Sequence, residues 1–185
     1  MERMKTLALV GSPRKGGNTD TLVEHILKGW ASKGHAYEKL YLYDYEISPC
    51  TDCRQCKSGD HACTISDGMQ EIYPKMEEAD LIIFGTPLYW YGPTAKMKLL
   101  VDRMRPFVAR GTLKGKKALI VTPSQEGPAA CGPLIEMFRR SFDYLGMELA
   151  GKVLTKAYEK AEVVEDQEEL KRAYDLGTSL GSSIG

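Results

Sequence analysis

Four of the five cysteines in this 185-residue chain crowd into one segment, Cys50-Thr-Asp-Cys53-Arg-Gln-Cys56, with Cys63 following. Thiolates two residues apart on a tight loop can face a common point. Three can meet three corners of an iron–sulfur cubane while a fourth arrives after a short excursion. Tetrahedral zinc is a second reading, although zinc sites more often use two separated pairs. Free or reactive thiols are the third. His61 lies among these cysteines and offers a substitute ligand, whereas His25 and His35 read as surface residues and Cys131 as a half-buried small residue.

A second segment, Gly11-Ser-Pro-Arg-Lys-Gly-Gly-Asn-Thr19, joins an apolar run to a helical pattern. The helix N-terminus there offers free backbone N–H groups and the positive end of a dipole, which attract an anion such as phosphate. Ser12 and Thr19 add hydroxyl donors, Asn18 an amide and Arg14 a fork of N–H groups, around a backbone that includes Gly16 and Gly17. The pattern is neither a Walker loop nor a Gly-x-Gly-x-x-Gly fingerprint.

A third segment, Pro87-Leu88-Tyr89-Trp90-Tyr91-Gly92, follows another apolar run. Three successive aromatics on a loop cannot all point inward. Aromatic and proline faces suit a planar isoalloxazine, whose polar edge takes backbone N–H and C=O groups. With the phosphate loop, this segment points to a flavin.

The elements that must position these segments follow from periodicity. Met4–Val10, Asp80–Phe84 and Lys117–Thr122 read as buried parallel strands, with Tyr37–Tyr43 and Gly151–Ala157 as weaker ones. Between them apolar residues recur at helical spacing. Leu22 to Trp30 follows a cap at Asn18 or Thr19, and Met69 to Ala79 contains Pro74, which predicts two short pieces. Met97 to Phe107 lies behind Pro93 as a first-turn residue, Leu134 to Leu145 forms a further helix, and a charged helix spans Glu159–Leu180.

Such alternation gives an α/β, flavodoxin-like three-layer fold with a five-stranded parallel sheet in order 2-1-3-4-5. Ligands of such sheets bind at the carboxyl edge, at the switch point between strands one and three. The chain reads as a single domain over 1–185, with a cysteine-rich insertion at about 47–66.

Lysine and arginine total 25 and aspartate and glutamate 25, with no basic run interleaved with aromatics. Neither nucleic acid nor an anionic membrane is therefore an expected partner. Leu7–Val10 is too brief for a signal-peptide core and no stretch reaches membrane-spanning length, so the expected compartment is the cytoplasm. There, clustered cysteines serve metals or catalysis before disulfides.

The Gly11–Thr19 loop, together with Thr86-Pro-Leu-Tyr-Trp-Tyr-Gly92, Lys98 and Val101-Asp-Arg103, resembles the NADPH-dependent FMN reductase family. Ile47-Ser-Pro-Cys-x-x-Cys-x-x-Cys56, Cys63 and Asp67-Gly-Met-Gln70 are similar to its iron–sulfur flavoprotein branch. The resemblance covers roughly residues 4 to 150. It implies FMN contacts at Ser12, Arg14, Gly17, Asn18, Thr19, Pro87, Leu88, Tyr89, Trp90, Tyr91, Gly92 and Ser124, and 4Fe-4S ligands at Cys50, Cys53, Cys56 and Cys63. It implies an FMN-dependent oxidoreductase passing electrons between a one-electron donor and a two-electron acceptor through the cluster and FMN. It also implies a redox donor such as ferredoxin or NAD(P)H, and a homodimer or homotetramer.

An NAD(P)H-dependent FMN or quinone reductase without a cluster is the alternative. A flavodoxin-like electron carrier is disfavoured by the neutral net charge, because such carriers tend to be strongly acidic. Two departures stand out: Gly68 sits where the family often has a second aspartate, and Thr122-Pro-Ser-Gln-Glu-Gly-Pro128 lacks the usual paired glycines.

Overall fold

The structure is a computed structural model and describes residues 3–183. Residues 1, 2, 184 and 185 of the single-domain reading lie outside them. Five strands, β1 (Lys5–Val10), β2 (Ala36–Tyr41), β3 (Leu81–Gly85), β4 (Lys117–Ser124) and β5 (Glu148–Lys156), form one parallel sheet in order 2-1-3-4-5. The helices are α1 (Asn18–Ala31), α2 (Met69–Glu78), α3 (Ala95–Asp102), α4 (Arg105–Arg110), α5 (Gly132–Leu145) and α6 (Gln167–Ser183).

Both sheet faces are apolar, as strands buried between two helical layers require. Leu7 and Leu9 join the core beneath α2, α3 and α5, which includes the mutually packed rings of Phe84, Phe138 and Phe142. Ala8 and Val10, one residue out of phase, join the core under α1 and α6. There α1 and α6 cross through glycines: a Cβ on Gly29 would lie 2.1 Å from Tyr174 O, and one on Gly177 2.0 Å from Ile26 O.

Several local expectations are corrected. Helix α2 runs unbroken through Pro74, which is exposed, because Met69, Ile72, Tyr73 and Met76 are buried and their packing outweighs one missing hydrogen bond. The helix expected through Phe107 instead breaks between α3 and α4. Pro106 cannot donate to the carbonyl of Asp102, the last residue of α3. Pro93 lies before the helix, and Thr94 caps it by accepting from Met97 N at 3.3 Å.

The last helix starts at Gln167, not Glu159. Asp166 accepts from Glu169 N at 3.0 Å, and Ala161 upstream holds a left-handed φ of 62°. Helix α1 carries no side-chain cap, since its cap position is Gly17. His35 is buried, not on the surface: its ring packs on Trp30, Nδ1 accepts from Met4 N and Nε2 contacts Gly181 O. His25 is half-buried, and Cys131 is fully buried. No helix among the described residues is long and apolar enough to cross a membrane.

Candidate functional site

The loops after β1, β3, β4 and β5 meet at the carboxyl edge of the sheet around a cavity of about 550 Å³. It is lined by Ser12, Arg14, Asn18, Thr19, Pro87, Leu88, Tyr89, Trp90, Pro123, Ser124, Gln125, Ala157 and Tyr158. Nine of the residues expected at a flavin therefore share one cavity. Tyr91 borders an adjoining hollow with Trp90 and Glu126, while Gly17 and Gly92 shape the backbone. Pro123 and Gln125 belong to the Thr122–Pro128 segment already singled out, whereas Ala157 and Tyr158 escaped the sequence reading; their position just past the end of β5 was the available signal.

The first loop is held from behind. Asp20 is buried and accepts from Gly16 N at 2.7 Å and from the Tyr41 hydroxyl at 2.9 Å, and pairs with Lys39 at 2.9 Å. Burial opposes its ionisation, but the bonds from Lys39, Gly16 and Tyr41 outweigh that and hold its carboxyl below the ordinary value. Lys39 also pairs with Glu24. Asn18 ties the loop to the opposite rim: Nδ2 donates to Glu159 O at 2.7 Å and Oδ1 accepts from Val163 N at 3.0 Å.

The side-chain amide of Asn18 is thus engaged within the protein. With no side-chain cap on α1, its first backbone N–H groups are left for an anion, beside the buried Ser12 and Thr19. Arg14, at the exposed rim, donates through Nη1 to Tyr158 O at 3.3 Å. These donors fit a phosphate.

Thr94, missed from sequence, fastens the first loop to the third. Its hydroxyl donates to Gly11 O at 2.5 Å while its N–H donates to Thr86 Oγ1 at 3.0 Å. In the aromatic loop Tyr89 and Gly92 exchange backbone hydrogen bonds at 2.9 and 3.0 Å, closing a tight turn on Trp90 and Tyr91. Both central residues adopt left-handed φ, 49° and 61°. Trp90 is 96% exposed, and Tyr89 and Tyr91 are about half exposed. In the last loop the Ser124 hydroxyl donates to Gly127 O at 2.9 Å, which closes the loop without paired glycines.

The four clustered cysteines line a second, small cavity of about 20 Å³ together with Ile65, Arg103, Arg105 and Pro106. All four thiols are free. Among the described residues no three His, Cys, Asp or Glu side chains group closely enough to hold a metal ion. His61 is half-buried with an unpartnered Nδ1 and a φ of 56°. Cys53 is exposed; the Gln55 backbone, opposed by desolvation and helped by Thr64, holds its thiol below the ordinary value. As a donor set, four thiols on one wall match an iron–sulfur group in number and type.

The ends of the cysteine loop are clamped. Arg103, at the break between α3 and α4, is 1% exposed and donates to Ser48 O at 2.8 Å and to both oxygens of Asp67. Asp67 in turn accepts from Ser48 N at 2.8 Å and Met69 N at 3.0 Å. Gln70 Nε2 donates to the carbonyls of Cys63 and Ile65 at 3.1 and 2.8 Å. Gly68 has no room for a side chain: a Cβ would sit 2.9 Å from Glu46 O and from Tyr45 Cβ.

A parallel sheet in this order, with a polar glycine-rich first loop and an aromatic third loop at its switch point, defines a flavodoxin-like fold. Residues 4–158 match the model of the NADPH-dependent FMN reductase family, and the chain belongs to that family. It is 41% identical over 126 residues to an iron-sulfur flavoprotein of Methanocaldococcus jannaschii, covering 67% of this chain and 65% of that one. An iron-sulfur flavoprotein of Archaeoglobus fulgidus is 38% identical over 113 residues, 61% of this chain and 51% of its own.

A Bacillus subtilis protein named as an NAD(P)H-dependent FMN-containing oxidoreductase is 29% identical over 181 residues, 94% of this chain and 96% of its own. The chain thus spans less than two thirds of the iron-sulfur flavoproteins it matches and nearly all of the Bacillus protein. Among solved structures, an NAD(P)H:quinone oxidoreductase from Methanothermobacter marburgensis superposes with a TM-score of 0.75 at 20% identity, over 97% of this chain and 96% of that one. At that identity the likeness is one of fold.

Proposed function

We propose that FMN occupies the cavity at the sheet edge and that Cys50, Cys53, Cys56 and Cys63 hold a 4Fe-4S cluster, making the protein an oxidoreductase of the iron–sulfur flavoprotein type. The observation that carries this reading is the convergence of the first, third and fourth βα loops on one cavity, with a four-cysteine wall built on the same frame. When bound, FMN stores two electrons and the cluster passes one at a time, so the pair couples a one-electron donor to a two-electron acceptor.

The residues supply binding and position. Ser12, Thr19 and the first N–H groups of α1 would take the phosphate, with Arg14 beside them; Pro87, Leu88, Tyr89 and Trp90 would hold the ring, and Ser124 and Gln125 would complete the lining. The cysteines would each take one iron. A ferredoxin-like protein is the proposed donor, a homodimer or homotetramer the proposed assembly, and the cytoplasm the proposed compartment. The names of the archaeal relatives support the cluster.

The full-length match to the Bacillus protein favours a second reading, in which NAD(P)H reduces FMN directly and the thiols stay free. An absorbance spectrum of protein purified without oxygen separates the two. Broad cluster absorption on top of flavin bands supports the first, flavin bands alone the second, and neither band rejects both. In the first case Cys53→Ser loses iron while FMN stays bound, and Arg14→Ala weakens FMN binding with the fold intact.

A further inference from the structure

Arg103 is enclosed on every side, yet its donors do not balance. A guanidinium carries five N–H groups and no acceptor. Four are placed: Nη1 donates to Ser48 O and Asp67 Oδ2 at 2.8 and 2.6 Å, and Nη2 to Asp67 Oδ1 and Ile65 O at 3.1 and 3.4 Å. The fifth, on Nε, is buried with no partner. A buried, unpaired donor on a charged group is unfavourable. Arg103 also forms part of the wall that carries Cys50, Cys53, Cys56 and Cys63.

We infer that the Nε–H of Arg103 is reserved for a sulfur of the cluster held by these cysteines, and that this hydrogen bond raises the cluster's reduction potential. The inference rests on the cluster reading above. Asp67 already offsets the guanidinium charge at two points, so what Nε has to offer is an N–H dipole in place of a free cation. A hydrogen bond onto cluster sulfur favours the reduced, more negative form. The couple takes up one electron from a one-electron donor, and no bond forms or breaks.

The same guanidinium grips Ser48 and Ile65 on either side of the cysteines, so donor and thiols share one frame. Arg103 is in this sense a positioning residue, distinct from the ligands.

The test loads wild type and Arg103→Lys anaerobically with ferrous iron and sulfide. Both are then titrated with dithionite through viologen mediators while the reduced cluster is followed by electron paramagnetic resonance. Lysine keeps a cation for Asp67 but has no planar fork with a fifth donor. Both proteins should load iron fully. At the wild-type midpoint the variant's reduced-to-oxidised ratio should fall about tenfold, or 59 mV for a one-electron couple. An iron-loaded variant with an unchanged midpoint overturns the inference and leaves the cluster reading standing. A wild type that takes up no iron overturns the cluster reading, and this inference with it.

If Arg103→Lys fails to fold or load, the question passes to a protein with the Arg103 contacts intact. Arg54 and Arg105 are the other arginines on this wall, and both are replaced by lysine in a chain grown on 15N-arginine. A 15N hyperfine coupling in the reduced cluster supports the bond, and its absence overturns it.

Discussion

Arg103 and Asp67, 36 residues apart, meet in a buried two-point ion pair, Nη1 to Oδ2 at 2.6 Å and Nη2 to Oδ1 at 3.1 Å. The pair joins the α3–α4 break to the base of α2 and closes the cysteine loop between them. Burial opposes the charge of Asp67, but the bonds from Arg103, Ser48 and Met69 outweigh it and hold the carboxyl below its ordinary value. Asp67→Asn would leave Arg103 without its counter-charge, and such losses cost about 3–5 kcal/mol. Urea unfolding should show that loss, and limited proteolysis should cut first within residues 48–66. A loss below about 1 kcal/mol would mean that the pair does not clamp the loop.

Asp20 predicts how acid acts on the first loop. Its native carboxyl titrates below the unfolded value of about 3.9, so its stabilisation is complete above that value and fades as pH falls through the native one. Asp67 has the same sign. The urea midpoint should therefore decline below about pH 4, with less decline in Asp20→Asn, which has already lost the Asp20 contribution. FMN affinity should drop with it, since the bond from Gly16 N–H loses its charged acceptor. An identical acid decline in wild type and Asp20→Asn would remove Asp20 from the account.

These relationships divide what the sequence could reveal from what it could not. The glycine-rich loop, the aromatic loop and the cysteine run stood out in the sequence because each gathers its polar, aromatic or thiol groups into a few consecutive residues. Asn18 to Val163 and Asp67 to Arg103 were not, because their partners lie 145 and 36 residues away. Asp67 and Arg103 were each visible as motif members, but their pairing depends on the α3–α4 break at Pro106, which periodicity alone overran. The start of α6 carried a signal that was missed, the Asp166-x-x-Glu169 cap.

The crossing of α1 and α6 gives a stability prediction independent of any cofactor. Gly177→Ala would drive a methyl into Ile26 O, a backbone atom that cannot move aside. The expected loss is about 1–3 kcal/mol or more, read as a lower thermal midpoint. Gly132→Ala is the control: nothing lies within 4 Å of its Cβ and its helical φ of −48° suits alanine. There stability should hold or rise by about 0.4–1 kcal/mol. Equal effects at the two sites would refute the packing account.

The turn at Trp90 and Tyr91 tests the proposed flavin contact through its backbone. Two-residue turns with both central φ positive favour Asn-Gly, and bulky residues held there cost of order 1–3 kcal/mol each. Nothing in the turn's own hydrogen bonds requires aromatics, since Tyr89 and Gly92 close it through backbone alone. Their use beside the cavity is explained if the rings serve a bound flavin. The double substitution Trp90→Asn, Tyr91→Gly should thus stabilise the protein, by about 2–4 °C in thermal midpoint per kcal/mol relieved. FMN should bind at least tenfold more weakly, by fluorescence titration. Unchanged affinity would take the aromatic loop out of the flavin site, and a lower midpoint would show that the turn is not strained.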